Sequence, residues 1–164
     1  MLRKSTLQDI PVILQLVDEA RQKMVAEGNI HQWSNGHPSR EQFEEDVARG
    51  VSYVMEEGGE VVATFALVEG PDPTYSIIYD GQWLNDRPYY VIHRIASGSK
   101  AHGVMRTALN YAFSLTDTVR IDTHADNHTM QRLLEKYGFV YCGIIHLKNG
   151  DLRLAYQKTV LPVQ

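Results

Sequence analysis

Apolar residues along the chain change their spacing several times, and each change marks an element. Leu2 to Thr6 reads as a short strand. Ile10, Ile13, Leu14, Val17, Ala20 and Met24 then recur at helical spacing, which predicts a helix capped by Asp9, with Pro11 tolerated in its first turn and a break at Gly28-Asn29. Ser39 followed by Gln42 forms a capping-box pattern for a second helix, which carries Phe43 and Val47 inward and ends at Gly50. Val51 to Met55 and Val61 to Val68 are strands of a hairpin turning at Glu57-Gly58-Gly59. Between Gly70 and Pro88 the periodicity is lost: Pro71, Pro73, Asp80-Gly81 and Arg87-Pro88 mark turns, and Tyr75 to Tyr79 is a candidate extra strand.

The second half is more regular. A strand from Tyr90 to Ala96 runs into Ser97-Gly98-Ser99-Lys100-Ala101-His102-Gly103. A helix starts near Val104, with Met105, Ala108, Leu109 and Ala112 on one face. Val119 to His124 is a further strand, followed by a helix that starts at Asp126-Asn127, turns Met130, Leu133, Leu134 and Tyr137 inward, and stops at Gly138-Phe139. The strands Val140 to Leu147 and Leu152 to Lys158 close the chain around Lys148-Asn149-Gly150-Asp151, and Thr159 to Gln164 is expected to be a loose tail.

A length of 164 residues with 43% apolar residues fits one domain spanning 1–164, with a core that needs no disulfide or metal. The formal charge of −4 argues against a nucleic-acid partner. A single cysteine, Cys142, has no partner for an internal disulfide, and no apolar run reaches the ~20 residues of a membrane span. The expected location is cytoplasmic, without membrane insertion.

A strand that feeds a glycine-containing turn opening a helix aims several unpaired backbone N–H groups at one point, where the helix dipole is positive, and such a point binds phosphate. Lys100, His102 and Arg106 add positive or neutral donors nearby. The run Lys100-Ala101-His102-Gly103-Val104-Met105 resembles the cofactor cradle of the GNAT superfamily of acetyl-CoA-dependent N-acetyltransferases, usually Arg/Gln-x-x-Gly-x-Gly/Ala. Gly103 matches; Lys100 keeps the first position's charge; Met105 stands where a small residue is usual. Asn127 and the closing Gly138-Phe139 match the family's downstream pattern, and the resemblance weakens only between about Gly70 and Pro88.

The resemblance implies an α/β fold: a mixed, largely antiparallel twisted sheet of six to seven strands with about four helices on both faces, splayed between the Tyr90 and Val119 strands to admit acetyl-CoA. It implies acetyl transfer to a primary amine of a small molecule or protein N-terminus by direct attack, by a monomer or homodimer; the alternative on the same fold is a non-catalytic acyl-CoA-binding module. Cofactor contacts fall to the main chain of Ile95 and Ser97, to Lys100, His102, Gly103, Val104 and Met105, and to Asn127. Leu134 occupies the helix position where many members carry a tyrosine that protonates the leaving thiolate, and Tyr137 lies one turn further on.

Read from the residues, the candidate bases are His93 and His124, because a histidine near its ordinary pKa can accept an amine proton at neutral pH. Alternation puts Arg94 on one face of its strand and His93 on the other, and if that strand neighbours the Val119 strand, Arg94 and Asp122 are expected to pair across them. Gln32 and Trp33 lie in a loop rich in amides, histidines and one aromatic; Trp83 lies in the unreadable stretch. Each is either a packing anchor or a wall of the acceptor pocket. His124 and His128 are four apart but lack a third ligand, so no metal is expected.

Overall fold

The computed structural model describes residues 1–160. The elements are β1 (Leu2–Lys4), α1 (Ile10–Ala26), α2 (Arg40–Ala48), β2 (Ser52–Glu57), β3 (Glu60–Glu69), β4 (Tyr90–Ser97), α3 (Val104–Leu115), β5 (Thr118–Thr123), α4 (His128–Lys136), β6 (Val140–His146) and β7 (Leu152–Thr159). The strands form one sheet in the order β1-β2-β3-β4-β5-β7-β6, antiparallel everywhere except between β4 and β5. This is the expected mixed α/β architecture with helices on both faces.

One face packs on α3 and α4, where Tyr53, Phe65, Leu67, Ile92, Val119, Ile121 and Tyr156 from the sheet meet Met105, Ala108, Leu109, Ala112, Leu134 and Phe139. The other packs on α1 and α2 through Ile10, Ile13, Leu16, Val17, Phe43, Val54 and Ala96. Alternation along the strands enforces this division: Tyr53 and Val54, or Val91 and Ile92, point to opposite faces.

The two N-terminal helices are too few to cover the far half of their face, and residues 70–88 cover the remainder. Their 3-10 turn, Pro73–Tyr75, buries Tyr75 (1% exposed) against Val91, Ile145 and Ala155, with Trp83 and Tyr89 beside it. Instead of the expected strand from Tyr75 to Tyr79, only Tyr79 pairs, in an isolated bridge to Ile144 on β6. Gly81 lies so close to β6 that a Cβ there would overlap the carbonyl of Cys142.

Several expectations at element ends are corrected. Asp9 does not cap α1 with its side chain; a 3-10 turn at Leu7–Asp9 precedes the helix, and the Asp9 carboxylate accepts from Thr6 N–H at 2.7 Å and from Arg3 at 2.8 Å. Ser39 does cap α2, accepting from Gln42 N–H at 3.2 Å, but the Gln42 side chain donates forward to Asp46 instead of closing the box. Thr159, placed in the tail by its sequence, ends β7 and pairs with Thr118; residues 161–164 of that tail lie outside the described residues.

Candidate active site

The parallel pairing between β4 and β5 consists of Tyr90↔Val119 and Val91↔Arg120, and beyond these residues the strands separate. A cleft of about 350 Å³ opens at the split. Ile95 and Ser97 from β4, Gly103, Val104 and Met105 from the start of α3, and Asn127, Met130 and Tyr137 around α4 form its walls, with Ala20, Lys23, Met24 and Glu27 from the last turns of α1. The apolar face of α1 thus leaves the core at Met24 to become a wall of the cleft.

At the end of β4, Gly103 adopts a left-handed conformation (φ 63°, ψ 32°) and starts α3 without a side-chain cap. By contrast α2 and α4 are capped by Ser39 and Asn127. The first N–H groups of α3 therefore have no protein partner among the described residues and point with the positive end of the helix dipole at the cleft. A Cβ on Gly103 would meet no protein atom within 4 Å, so the space above the turn is open. Lys100 and His102 do not line the cleft; Lys100 reaches Glu60 at 3.1 Å, and His102 is exposed.

Simple alternation fails on β4. Thr64↔Ala96 and Ala66↔His93 place one extra residue on β4, and Arg94 takes a positive φ of 52° in the bulge. His93 and Arg94 consequently serve the same face, that of α1 and α2, instead of opposite ones. Arg94 grips Asp46 on α2 through two hydrogen bonds of 2.7 and 2.9 Å, and Asp46 is 1% exposed. The expected Arg94–Asp122 pair does not form. Asp122 instead accepts a 2.6 Å hydrogen bond from the buried Tyr75 hydroxyl, whose pKa is pushed up by burial and then by the Asp122 charge.

His93 Nε2 stands 3.2 Å from Asp72 Oδ2. Burial would raise the Asp72 pKa, but hydrogen bonds from His93 and from the Thr74 hydroxyl and N–H outweigh it and lower the pKa to about 2. An ionised Asp72 holds the His93 proton on Nε2 and leaves Nδ1 as the ring's free lone pair. His124 has the opposite arrangement: its Nδ1 accepts from Asp126 N–H at 3.0 Å, so the neutral ring presents a donor. Its pKa is lowered, by burial first and by the Arg153 charge second.

Gln32 is a junction. Its Oε1 accepts from Asn29 and Asn127 at 2.9 Å each, and its carbonyl accepts from Arg153 at 3.2 Å, so the loop after α1 is tied both to the cleft and to β7. Trp33 packs against the core beneath α1 and α2, and its carbonyl accepts from Arg21. Trp83 donates to the Tyr75 carbonyl at 2.9 Å and stacks over the Arg120 guanidinium at 4.0 Å, a packing position on the sheet. Among the described residues no group of three or more His, Cys, Asp or Glu side chains could hold a metal ion.

The model of the acetyltransferase (GNAT) family matches residues 15–139. The chain belongs to that family. A GNAT-family acetyltransferase from Streptococcus agalactiae 2603 has a crystal structure similar over 99% of this chain and 96% of its own, with 33% identity and a TM-score of 0.88. A putative acetyltransferase from Staphylococcus aureus Mu50 shares 27% identity over 97% of this chain and 98% of its own, with a TM-score of 0.70. A ribosomal-protein-alanine N-acetyltransferase from Brucella melitensis, at 21% identity over 98% and 99% and a TM-score of 0.63, shares the fold. None of the curated proteins matches the chain.

Within this GNAT fold, Leu134 is 0% exposed in the core between α4 and the sheet, while Tyr137 lines the cleft at the end of α4. Sequence reasoning missed Asp46, Asp72, Tyr75 and Arg153. The partners that bring them to the site are 21 to 121 residues away, and no local pattern announces such pairings.

Proposed function

We propose that this GNAT chain transfers an acetyl group from acetyl-CoA to a primary amine by direct attack, with His93 as the base. The observation that carries the reading is the cleft at the split of β4 and β5, which ends on the uncapped N-terminus of α3. Phosphate oxygens of CoA accept from the free N–H groups at Gly103 to Met105, and the thioester arm runs along Ile95 and Ser97. Asn127 supports it from α4.

The amine attacks the thioester carbonyl, a C–N bond forms and the C–S bond breaks. His93 Nδ1 takes the amine proton, with Asp72 fixing the tautomer and stabilising the imidazolium that results. The leaving thiolate takes a proton from Tyr137 or from water. A covalent intermediate has no support: Cys142 lies on β6, where burial pushes its thiol pKa up.

Leu134, standing where the resembled family usually carries its acid, favours one second reading, a non-catalytic acyl-CoA-binding module. Steady-state CoA release over a panel of primary amines separates the two. Turnover that falls at least 100-fold in His93→Ala, with acetyl-CoA binding retained, supports the enzyme; binding without turnover of any amine supports the module.

A further inference from the structure

Arg153 is a buried cation that the chemistry above does not use. It lies on β7 and is 6% exposed. Its partners are two main-chain carbonyls, Leu152 at 3.0 Å and Gln32 at 3.2 Å, and it makes no ion pair among the described residues. Arg94, by comparison, is held by two carboxylate contacts to Asp46. A guanidinium carries five N–H donors. Among the described residues Arg153 Nε makes no hydrogen bond, and it is not fully sealed, since the only sealed and unpartnered side-chain N or O atom among them is Asn29 Oδ1. Asp122 and Asp151 act on its charge without touching it, and taking a cation out of water without a direct ion pair is costly, so a cation held in this way is built to meet an anion.

Its position says which anion. Asp122 pairs with Ala155, so Arg153 sits two residues along β7 on the same face, diagonal to Asp122. That face is the one served by His93 and Asp72. On its other side the guanidinium holds Gln32, whose side chain binds Asn127 in the wall of the cleft. Neighbouring strands lie about 4.8 Å apart, so an amine at the split between β4 and β5 has its nearest β7 side chains within roughly 5–8 Å. A carboxylate within a few bonds of that amine spans this distance and accepts the free edge of the Arg153 fork.

We propose that Arg153 is the carboxylate-binding residue of the acceptor site and that the acceptor is amino-acid-like, a primary amine with a carboxylate close to it. Asp122 and Asp72 on the same face attract its ammonium end, and His93 takes the proton that makes it nucleophilic. The inference rests on the acetyl-transfer reading above and narrows its acceptor.

The test measures CoA release with the common α-amino acids, their carboxamides and their decarboxylated amines, for the wild type and for Arg153→Gln and Arg153→Lys. In the wild type kcat/KM for the best amino acid exceeds that for its amide and its amine by about 10- to 100-fold, the range of a charge-assisted contact. Arg153→Gln brings the ratio to about one through a rise in KM, Arg153→Lys restores part of it, and both variants bind acetyl-CoA as the wild type does. Amides or amines used as well as the amino acids by the wild type would overturn the inference even if Arg153→Gln failed to fold, as would an Arg153→Gln loss equal for all three classes. Acetyl-CoA that binds while simple amines but no amino acid are acetylated overturns it too; acetyl-CoA that fails to bind, or that binds without turnover of any amine, overturns the acetyl-transfer reading itself.

Discussion

Replacing Asp72 with Asn tests the His93 arrangement through stability as well as activity. Asn keeps the shape and can still accept from Thr74 N–H, but it removes the charge facing His93. The folded pKa of about 2 lies below the ordinary 3.8, so ionised Asp72 stabilises the fold by about 2 kcal/mol at neutral pH. The sign follows from a depressed carboxylate: the contribution is complete above the unfolded pKa and is lost as pH falls through the folded one. By pH 3 about 1 kcal/mol of it is gone. Urea unfolding should therefore find Asp72→Asn about 2 kcal/mol less stable at pH 7, with the gap reduced to roughly half at pH 3. In the same preparation turnover should fall about 10- to 100-fold while acetyl-CoA affinity is unchanged. A gap that stayed constant between pH 7 and pH 3, or a variant with full turnover, would refute the reasoning.

Gly103→Glu forces a side chain into a left-handed position, in the open space over the uncapped helix end, and should lower acetyl-CoA affinity at least 100-fold by calorimetry while far-UV circular dichroism stays unchanged. Tyr137→Phe should lower turnover by no more than about tenfold, because a thiolate can leave without a protein acid; a loss of ~1000-fold would make Tyr137 the acid. Asp46→Ala strands the Arg94 guanidinium beside the bulge and should cost about 3–5 kcal/mol in urea unfolding, with Asp46→Asn milder.

The elements were legible where one local pattern decided them. The faces of α3 and α4 follow from Met105, Ala108, Leu109 and Leu134 alone, and the β6–β7 turn from Asn149-Gly150. The strand, turn and helix that open the cleft were legible because they are consecutive in sequence. The bulge at Arg94 was not: it depends on how Phe65 on β3 faces two residues of β4, a property of the pairing and not of β4's own residues. Missing it reversed the side of Arg94 and, with it, the partner, Asp46 instead of Asp122. Residues 70–88 were opaque for the same reason. Their order comes from Tyr75 filling a hole between Val91, Ile145 and Ala155, strands that are far off in sequence.

The split between β4 and β5 gives this sheet two edges in its interior, in addition to the outer edges at β1 and β6. An unpaired strand edge is a template for another chain, and proteins ordinarily blunt it with charges, prolines or a covering helix. Here the protection is one of access. The two edges face each other across a wedge closed at one end by the Tyr90 and Val91 pairs and walled by α3 and α4, so a whole foreign strand with side chains on both faces finds no lateral approach, whereas a thin flexible chain can enter lengthwise. The same opening that exposes backbone groups also filters what can reach them, leaving the fold a permanent vacancy in its hydrogen-bond ladder without the aggregation hazard that an outer edge of that kind would carry.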